Sequence, residues 1–242
     1  MNTNEKDPKN MFTTLFTHAA CLEHDTGLGH PECADRLRAV LAALETEEFY
    51  MLERQDAPRA TVEQIARAHP REHVERVLAL VPEQEHAGID ADTVISPGSG
   101  EAALRAAGAV VAAVDAVANG HSRNAFCAVR PPGHHAEYEK AMGFCLFNNV
   151  AVGAYHARAV HGLQRVAVMD FDVHHGNGTQ DIFQRDPDML YCSTHQSPLY
   201  PGTGDAGERG EYGNCVNAPL QAMAGSPEFR HAMTHIILPA ID

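Results

Sequence analysis

The chain has 242 residues, 44% hydrophobic and 21% charged, which is enough for one sizeable core of ordinary globular composition. Lys and Arg total 18 against 32 Asp and Glu, and the resulting charge of −14 repels phosphate backbones and argues against nucleic-acid binding. No stretch approaches the roughly 20 apolar residues of a membrane span, residues 1–10 lack the apolar centre of a secretory signal, and six scattered cysteines without a C-x-x-C pair fit reduced thiols in a cytoplasmic protein.

Residues 1–11 read as a disordered tail and residues 12–242 as one domain. Thr13–Phe16 predicts a short first strand. Asp35–Leu44 has helical spacing, with Leu37, Val40, Leu41 and Leu44 on one face. Thr61–Ala68 opens on a Thr N-cap signal, and His73–Val81 reads as a further helix. Ser96-Pro-Gly-Ser-Gly100 breaks the chain before a long Ala/Val-rich helix, Glu101–Ala118, which Asn119-Gly120 ends. The rhythm then alternates. Ala125–Val129 is a strand, Leu146–Val160 a helix, Arg165–Phe171 a buried strand, Thr179–Gln184 a helix and Met189–Thr194 a strand. A last helix begins at Ser226-Pro-Glu. Strands separated by helices predict an α/β fold of three layers, αβα, around a mainly parallel sheet. Ligands in such sheets bind beyond the C-terminal strand ends.

The chemistry-bearing residues fall at those ends. In Asp170-Phe-Asp-Val-His-His-Gly-Asn-Gly178, Asp172 and His174 are two apart and would share a face in extended chain, a half-site for a divalent metal, zinc above all. Asp170 shares that face and can orient an imidazole. Arg130-Pro-Pro-Gly-His-His135 fixes adjacent histidines on a rigid loop, a placement suited to acid–base work near neutrality. Phe144 and Phe147, in Met142-Gly-Phe-Cys-Leu-Phe147, read first as core; a Phe behind a glycine so close to the His pair could instead wall a channel. Tyr200-Pro-Gly-Thr-Gly204 has the look of an anion-binding turn but lacks the Lys and helix of a phosphate loop, so it reads as a structured loop over the pocket. His18, Cys21, His24 and His30 suggest a second metal less readily than a polar loop lining the site. A nucleotide-binding reading fails for want of a Gly-rich strand-to-helix turn.

At these residues the chain resembles bacterial class II-type members of the histone deacetylase family, within the arginase–deacetylase superfamily. The matching motifs are His30-Pro-Glu32 with Arg36, Arg130-Pro-Pro-Gly-His-His135, Gly143-Phe-Cys145, Asp170 to Gly178, Ser193-Thr-His195 and Tyr200 to Gly204. The resemblance implies zinc on Asp172 and His174. It implies that His134 and His135 flank the attacking water, that Asp170 buttresses His134 and that Asn177 partners His135. Gly143, Phe144 and Tyr200 would wall an acyl-lysine tunnel. An inner potassium would take oxygens from Asp170, Asp172, His174, Ser193 and Thr194, and a second would lie near Phe183 and Met189.

Members of that family take a third zinc ligand from a later Gly-Phe-Asp turn and an oxyanion-stabilising Tyr from a Gly-Gly-Tyr turn, and neither occurs here. The expectation is a deacetylase truncated at its C-terminus. Its strands at Ala125–Val129 and Arg165–Phe171 would lack neighbours, and its own activity would be low. The implied reaction is zinc-dependent hydrolysis of an acetylated amine, either acetyl-lysine in protein or a small acetylated amine such as a polyamine. The alternative is an inactive fragment or pseudoenzyme that at most binds metal or a partner.

Overall fold

The computed structural model describes residues 12–242, so the expected tail at residues 1–11 lies outside the described residues. The first half is built on a parallel three-stranded sheet. Strand β1 (Thr13–Thr17) lies between β2 (Glu53–Asp56) and β5 (Asn124–Cys127). The period-2 alternation of β1 sends its neighbours to opposite faces. Leu15 packs with Leu37 and Leu44 of α1 (Ala34–Leu44), and Phe16 packs with Ala109 of α4 (Ser99–Ala118). β3 (Ala87–Gly88) and β4 (Val94–Ile95) form a small antiparallel pair.

The second half repeats the plan. β6 (Val166–Asp170), β7 (Met189–Gln196) and β8 (Cys215–Leu220) form a second parallel sheet, with Asp170 in register with Ser193. Met189 and Tyr191 face the large core shared with α5 (Asn149–His161) and α6 (Asn177–Phe183), while Leu190 and Cys192 face α7 (Ser226–Ala232) and the π-helical turn Met233–Ile237 that follows it. Helices thus cover both faces, giving the expected three layers. Among the described residues neither β5 nor β6 has a second strand neighbour, as the sequence led us to expect.

Several elements differ from their expected bounds. The helix expected over Thr61–Ala68 is a single turn, α2 (Val62–Ile65), held by a capping box between Thr61 and Gln64. The next helix, α3, spans Arg71–Ala79 because Pro70 opens it. α5 starts three residues later than expected, since the Asn148 side chain caps it by accepting from the Ala151 N–H. β2, β3, β4 and β8 carried no strand signal strong enough to be read from the sequence.

Under the first sheet lies a buried ion pair. Arg130 grips Glu32 with two hydrogen bonds of 2.6 Å each and donates to the carbonyls of Cys21 and His24. The Glu32 side chain is 0% exposed, so removing one partner strands a charge in the interior. Glu32→Ala is expected to lower folding stability by about 3–5 kcal/mol, measured by urea unfolding; a loss below 1 kcal/mol would show that water reaches Arg130.

Buried neutral histidines should make the fold acid-sensitive. Burial pushes His24, His69 and His175 down to about 4 from an ordinary value of 6.5. A depressed histidine resists protonation when folded but accepts a proton at its ordinary value when unfolded. Stability is therefore complete above pH 6.5 and lost as pH falls from 6.5 toward 4, by up to about 3 kcal/mol for each group. Urea midpoints should be level above pH 7 and fall steeply between pH 6 and 4.5. A level profile throughout would contradict this.

Candidate active site

The C-terminal ends of β5 and β6 and the loop after β7 converge on a cavity of about 570 Å³. His134, His135, Gly143, Phe144, Asp172, His174 and Tyr200, singled out from the sequence, all line it, joined by Glu32, Arg36 and Asp92 among others. Asp170 and Asn177 stand behind the two histidines instead.

The strand ends at Asp170, so Asp172 and His174 do not share a face through extended backbone as the spacing suggested. Two successive Asx-type turns bring them together. Asp170 Oδ1 accepts from the Asp172 N–H at 3.1 Å, and Asp172 Oδ1 accepts from the His174 N–H at 2.8 Å. The result is a carboxylate oxygen 3.1 Å from His174 Nδ1, both residues lining the cavity. Oxygen and imidazole nitrogen at this spacing suit neighbouring positions around zinc, whose bonds to them run about 2.0–2.2 Å. The donor chemistry fits zinc. Catalytic zinc sites take three protein ligands, and among the described residues these two are the ones that converge here.

The tautomers of the histidine pair follow from their partners. His134 Nδ1 donates to Asp170 Oδ2 at 2.9 Å. Asn177 Nδ2 donates to the Glu137 carboxylate at 2.7 Å, which can only accept. The Asn177 amide is thereby oriented with Oδ1 toward His135 Nδ1, 2.8 Å away, so His135 carries its proton on Nδ1. The rings lie 4.0 Å apart between centroids, and both Nε2 atoms are left for the cavity. Glu137 fixes this arrangement, and no sequence pattern marks it: it sits in an unremarkable polar run 40 residues from Asn177.

Charge follows geometry. Burial alone would lower the His134 pKa, but the hydrogen bond and charge of Asp170, with Asp172 beyond it, outweigh burial and raise it. Burial and then the neighbouring His134 push His135 down to about 4, against the Asn177 hydrogen bond. Near neutrality His135 is a neutral base beside a more readily protonated partner. Burial, with Asp92 and Asp90 nearby, pushes Tyr200 up to about 12, so its hydroxyl keeps its proton as a donor. Its ring stands edge-on to His135 at 5.1 Å.

Two glycines are required by the crowding. A Cβ on Gly143 (φ 57°) would strike the His135 ring, and one on Gly176 would strike the Asp170 carboxylate and the Tyr191 hydroxyl. Phe147 is buried in the core, while Phe144, which the sequence left open between core and channel wall, borders the cavity.

Ser193, opposite Asp170 in the sheet, is fully buried and its Oγ lies 2.9 Å from His195 Nδ1. The Thr194 side chain alternates to the other face of β7, where its Oγ1 is buried without a partner, so only its backbone could join an oxygen cluster with Asp170. Phe183 and Met189 are both buried in the large core. His18, Cys21, His24 and His30 do not converge; His18 caps a turn at Ala20 and His24 meets Ser99. Another group, Asp115, His156 and His161, does converge between α4 and α5, away from the cavity. Both imidazoles meet Asp115 Oδ1 through Nε2, at 2.6 and 2.7 Å. Arg67 faces His156 Nδ1 at 2.6 Å, and a guanidinium can only donate. His156 Nε2 must then hold its proton, so the cluster is a hydrogen-bonded clamp between helices and a poor metal site.

Residues 30–242 match the histone deacetylase domain family. A histone deacetylase-like amidohydrolase of Pseudomonas aeruginosa is 42% identical over 95% of this chain and 66% of its own length. An uncharacterized protein of Synechocystis sp. is 41% identical over 93% of this chain and 75% of its own length. A probable deacetylase of Archaeoglobus fulgidus is 38% identical over 96% of this chain, which spans 66% of that relative. The crystal structure of the HDA15 HD domain superposes with a TM-score of 0.88 at 36% identity, covering 95% of this chain and 67% of that one. A paired His134–Asp170 and His135–Asn177 at the strand ends, in a chain with these relatives, leaves one conclusion: the chain belongs to the histone deacetylase family.

Proposed function

We propose that this chain carries the site of a zinc-dependent amidohydrolase that removes an acetyl group from an amine. The substrate is an acetyl-lysine in protein or a small acetylated amine such as a polyamine. The observation that carries this reading is the fixed tautomer of His135, whose unprotonated Nε2 faces the cavity beside Asp172 and His174. Asp172 and His174 would hold zinc, which polarises an amide carbonyl and activates water when bound. His135 Nε2 takes the proton of the attacking water. His134, held by Asp170, stabilises the charge that results, and the pair returns a proton to the departing amine. Tyr200 and Phe144 flank the acyl-lysine stem. Asp170 and the Ser193 hydroxyl, adjacent across the sheet, with the backbones of Asp172, His174 and Thr194, would supply oxygens to a structural potassium. A site near Phe183 and Met189 would have to use their backbones, since both side chains are buried in the core.

A second reading, binding without turnover, is favoured by one observation: the described residues bring two zinc donors together where three are usual. Release of acetate from acetyl-lysine peptides and from acetylated diamines, with zinc added, separates the readings. Acetate release supports hydrolysis and ranks the substrates. Stoichiometric zinc with no release from either substrate class would overturn it in favour of binding.

A further inference from the structure

We propose that Thr93 and His30 are positioning residues that hold Phe144 in a strained backbone conformation, and so set how tightly the cavity grips its substrate. The proposal deepens the reading of the cavity as an acyl-amine site and rests on it for its kinetic part alone. Phe144 has φ 69°, the left-handed region that a bulky L-residue rarely adopts. Such strain persists only where surrounding contacts enforce it, and it gathers at functional sites. Gly143, just before it, has φ 57° and is pressed against His135, so the chain is already turned sharply there.

Two contacts enforce the conformation. The Phe144 N–H donates to Thr93 Oγ1 at 3.2 Å. Thr93 is 0% exposed and is itself pinned: its N–H donates to Asp90 Oδ1 at 2.7 Å, its hydroxyl to Asp92 Oδ1 at 3.2 Å, and its carbonyl accepts from Ile89 at 2.8 Å. The Phe144 ring meets the edge of His30, with centroids 4.8 Å apart and planes at 73°. His30 is fixed as well: its Nε2 donates to the Asp92 carbonyl at 3.0 Å, and its Nδ1 lies 3.1 Å from both the N–H and the carbonyl oxygen of Glu32. One hydroxyl therefore fixes the Phe144 backbone and one imidazole fixes its ring, and both are anchored on the segment that brings Asp92 to the cavity. Neither reaches the His134–His135 pair, so their loss should change binding more than the chemical step.

Thr93→Val removes the acceptor at nearly constant volume, and Thr93→Ser retains it. The readouts are the Phe144 amide in protein labelled at its nine phenylalanines, followed by NMR and hydrogen exchange, and KM against kcat for an acetyl-lysine peptide. In Thr93→Val the Phe144 amide should shift and exchange about tenfold faster, and KM should rise about fivefold to tenfold with kcat within threefold. Thr93→Ser should restore both. His30→Gln, which can still donate to Asp92 but offers no aromatic edge, should raise KM while the Phe144 amide stays protected. An unchanged Phe144 amide in Thr93→Val, or failure of serine to restore it, overturns the proposal. Should Thr93→Val not fold, Thr93→Ala replaces it in the same comparison with Thr93→Ser. If the unaltered protein turns over no substrate, the functional reading falls and the amide comparison still decides the positioning role.

Discussion

Replacing His135 with alanine is expected to slow amide hydrolysis by about 10²–10⁴ while zinc uptake stays intact. The Asn177 amide, locked by Glu137, keeps the His135 proton on Nδ1 and the lone pair on Nε2 toward the cavity. The ring is buried and pushed down to about 4, so it is a free base across the neutral range. His134 holds the opposite position: Asp170 raises its pKa and makes it the better seat for positive charge. His134→Ala should therefore cost less turnover than His135→Ala. Single-turnover rates on the two variants, with zinc measured by metal analysis, check the assignment. Near-normal turnover in His135→Ala would remove it as the base, and a larger loss in His134→Ala would exchange the two roles.

Asp172→Ala is expected to abolish zinc uptake and, with it, hydrolysis. The carboxylate has two tasks. It offers a donor oxygen 3.1 Å from His174 Nδ1, and it closes the turn by accepting the His174 N–H at 2.8 Å. Alanine removes both the donor and the contact that aims its neighbour. Loss of a residue behind a metal ligand already weakens binding about 10–100-fold, so loss of the ligand itself should exceed that. Asp172→Asn separates the tasks, because the amide oxygen can still close the turn without supplying a charge. It should bind zinc more weakly than the unaltered protein and more tightly than the alanine variant. Asp172 is 46% exposed, so the fold itself should hardly change. Stoichiometric zinc in Asp172→Ala, measured after dialysis, would show that the metal sits on other donors.

Much of the fold was legible because parallel strands are written as continuous apolar runs between helical periods. Met189–Cys192 is buried as such a run implies. Val166–Met169, expected to be buried, forms a strand that is only partly covered, with Ala167 exposed, because β6 has a strand neighbour on one side alone among the described residues. β2 escaped because Glu-Arg-Gln-Asp is exposed throughout, an edge strand held by backbone pairing to β1 and by Arg54, which donates to the Leu44 carbonyl and pairs with Glu45. β8 escaped because Asn217 and Pro219 interrupt its pattern, which an edge position tolerates. α2 shrank to one turn because its capping box fixes only a beginning.

The sequence by itself determined the chemical inventory: a histidine pair on a proline-stiffened loop, an Asp-x-Asp-x-His run at a strand end and a Tyr in a glycine-rich loop. These were readable because each motif is local, and its residue types state what it can bind or titrate. Only the tertiary structure decided what those groups are. Whether His135 is base or cation depends on Glu137 and Asn177, which are far apart in the chain. Whether Phe144 is core or cavity wall depends on where folding sets its backbone, whose N–H meets a hydroxyl 51 residues away. Whether Asp115, His156 and His161 form a metal site or a clamp depends on Arg67. Protonation, tautomer and backbone strain are set by partners in space, and a linear pattern carries no record of which partners folding will bring together.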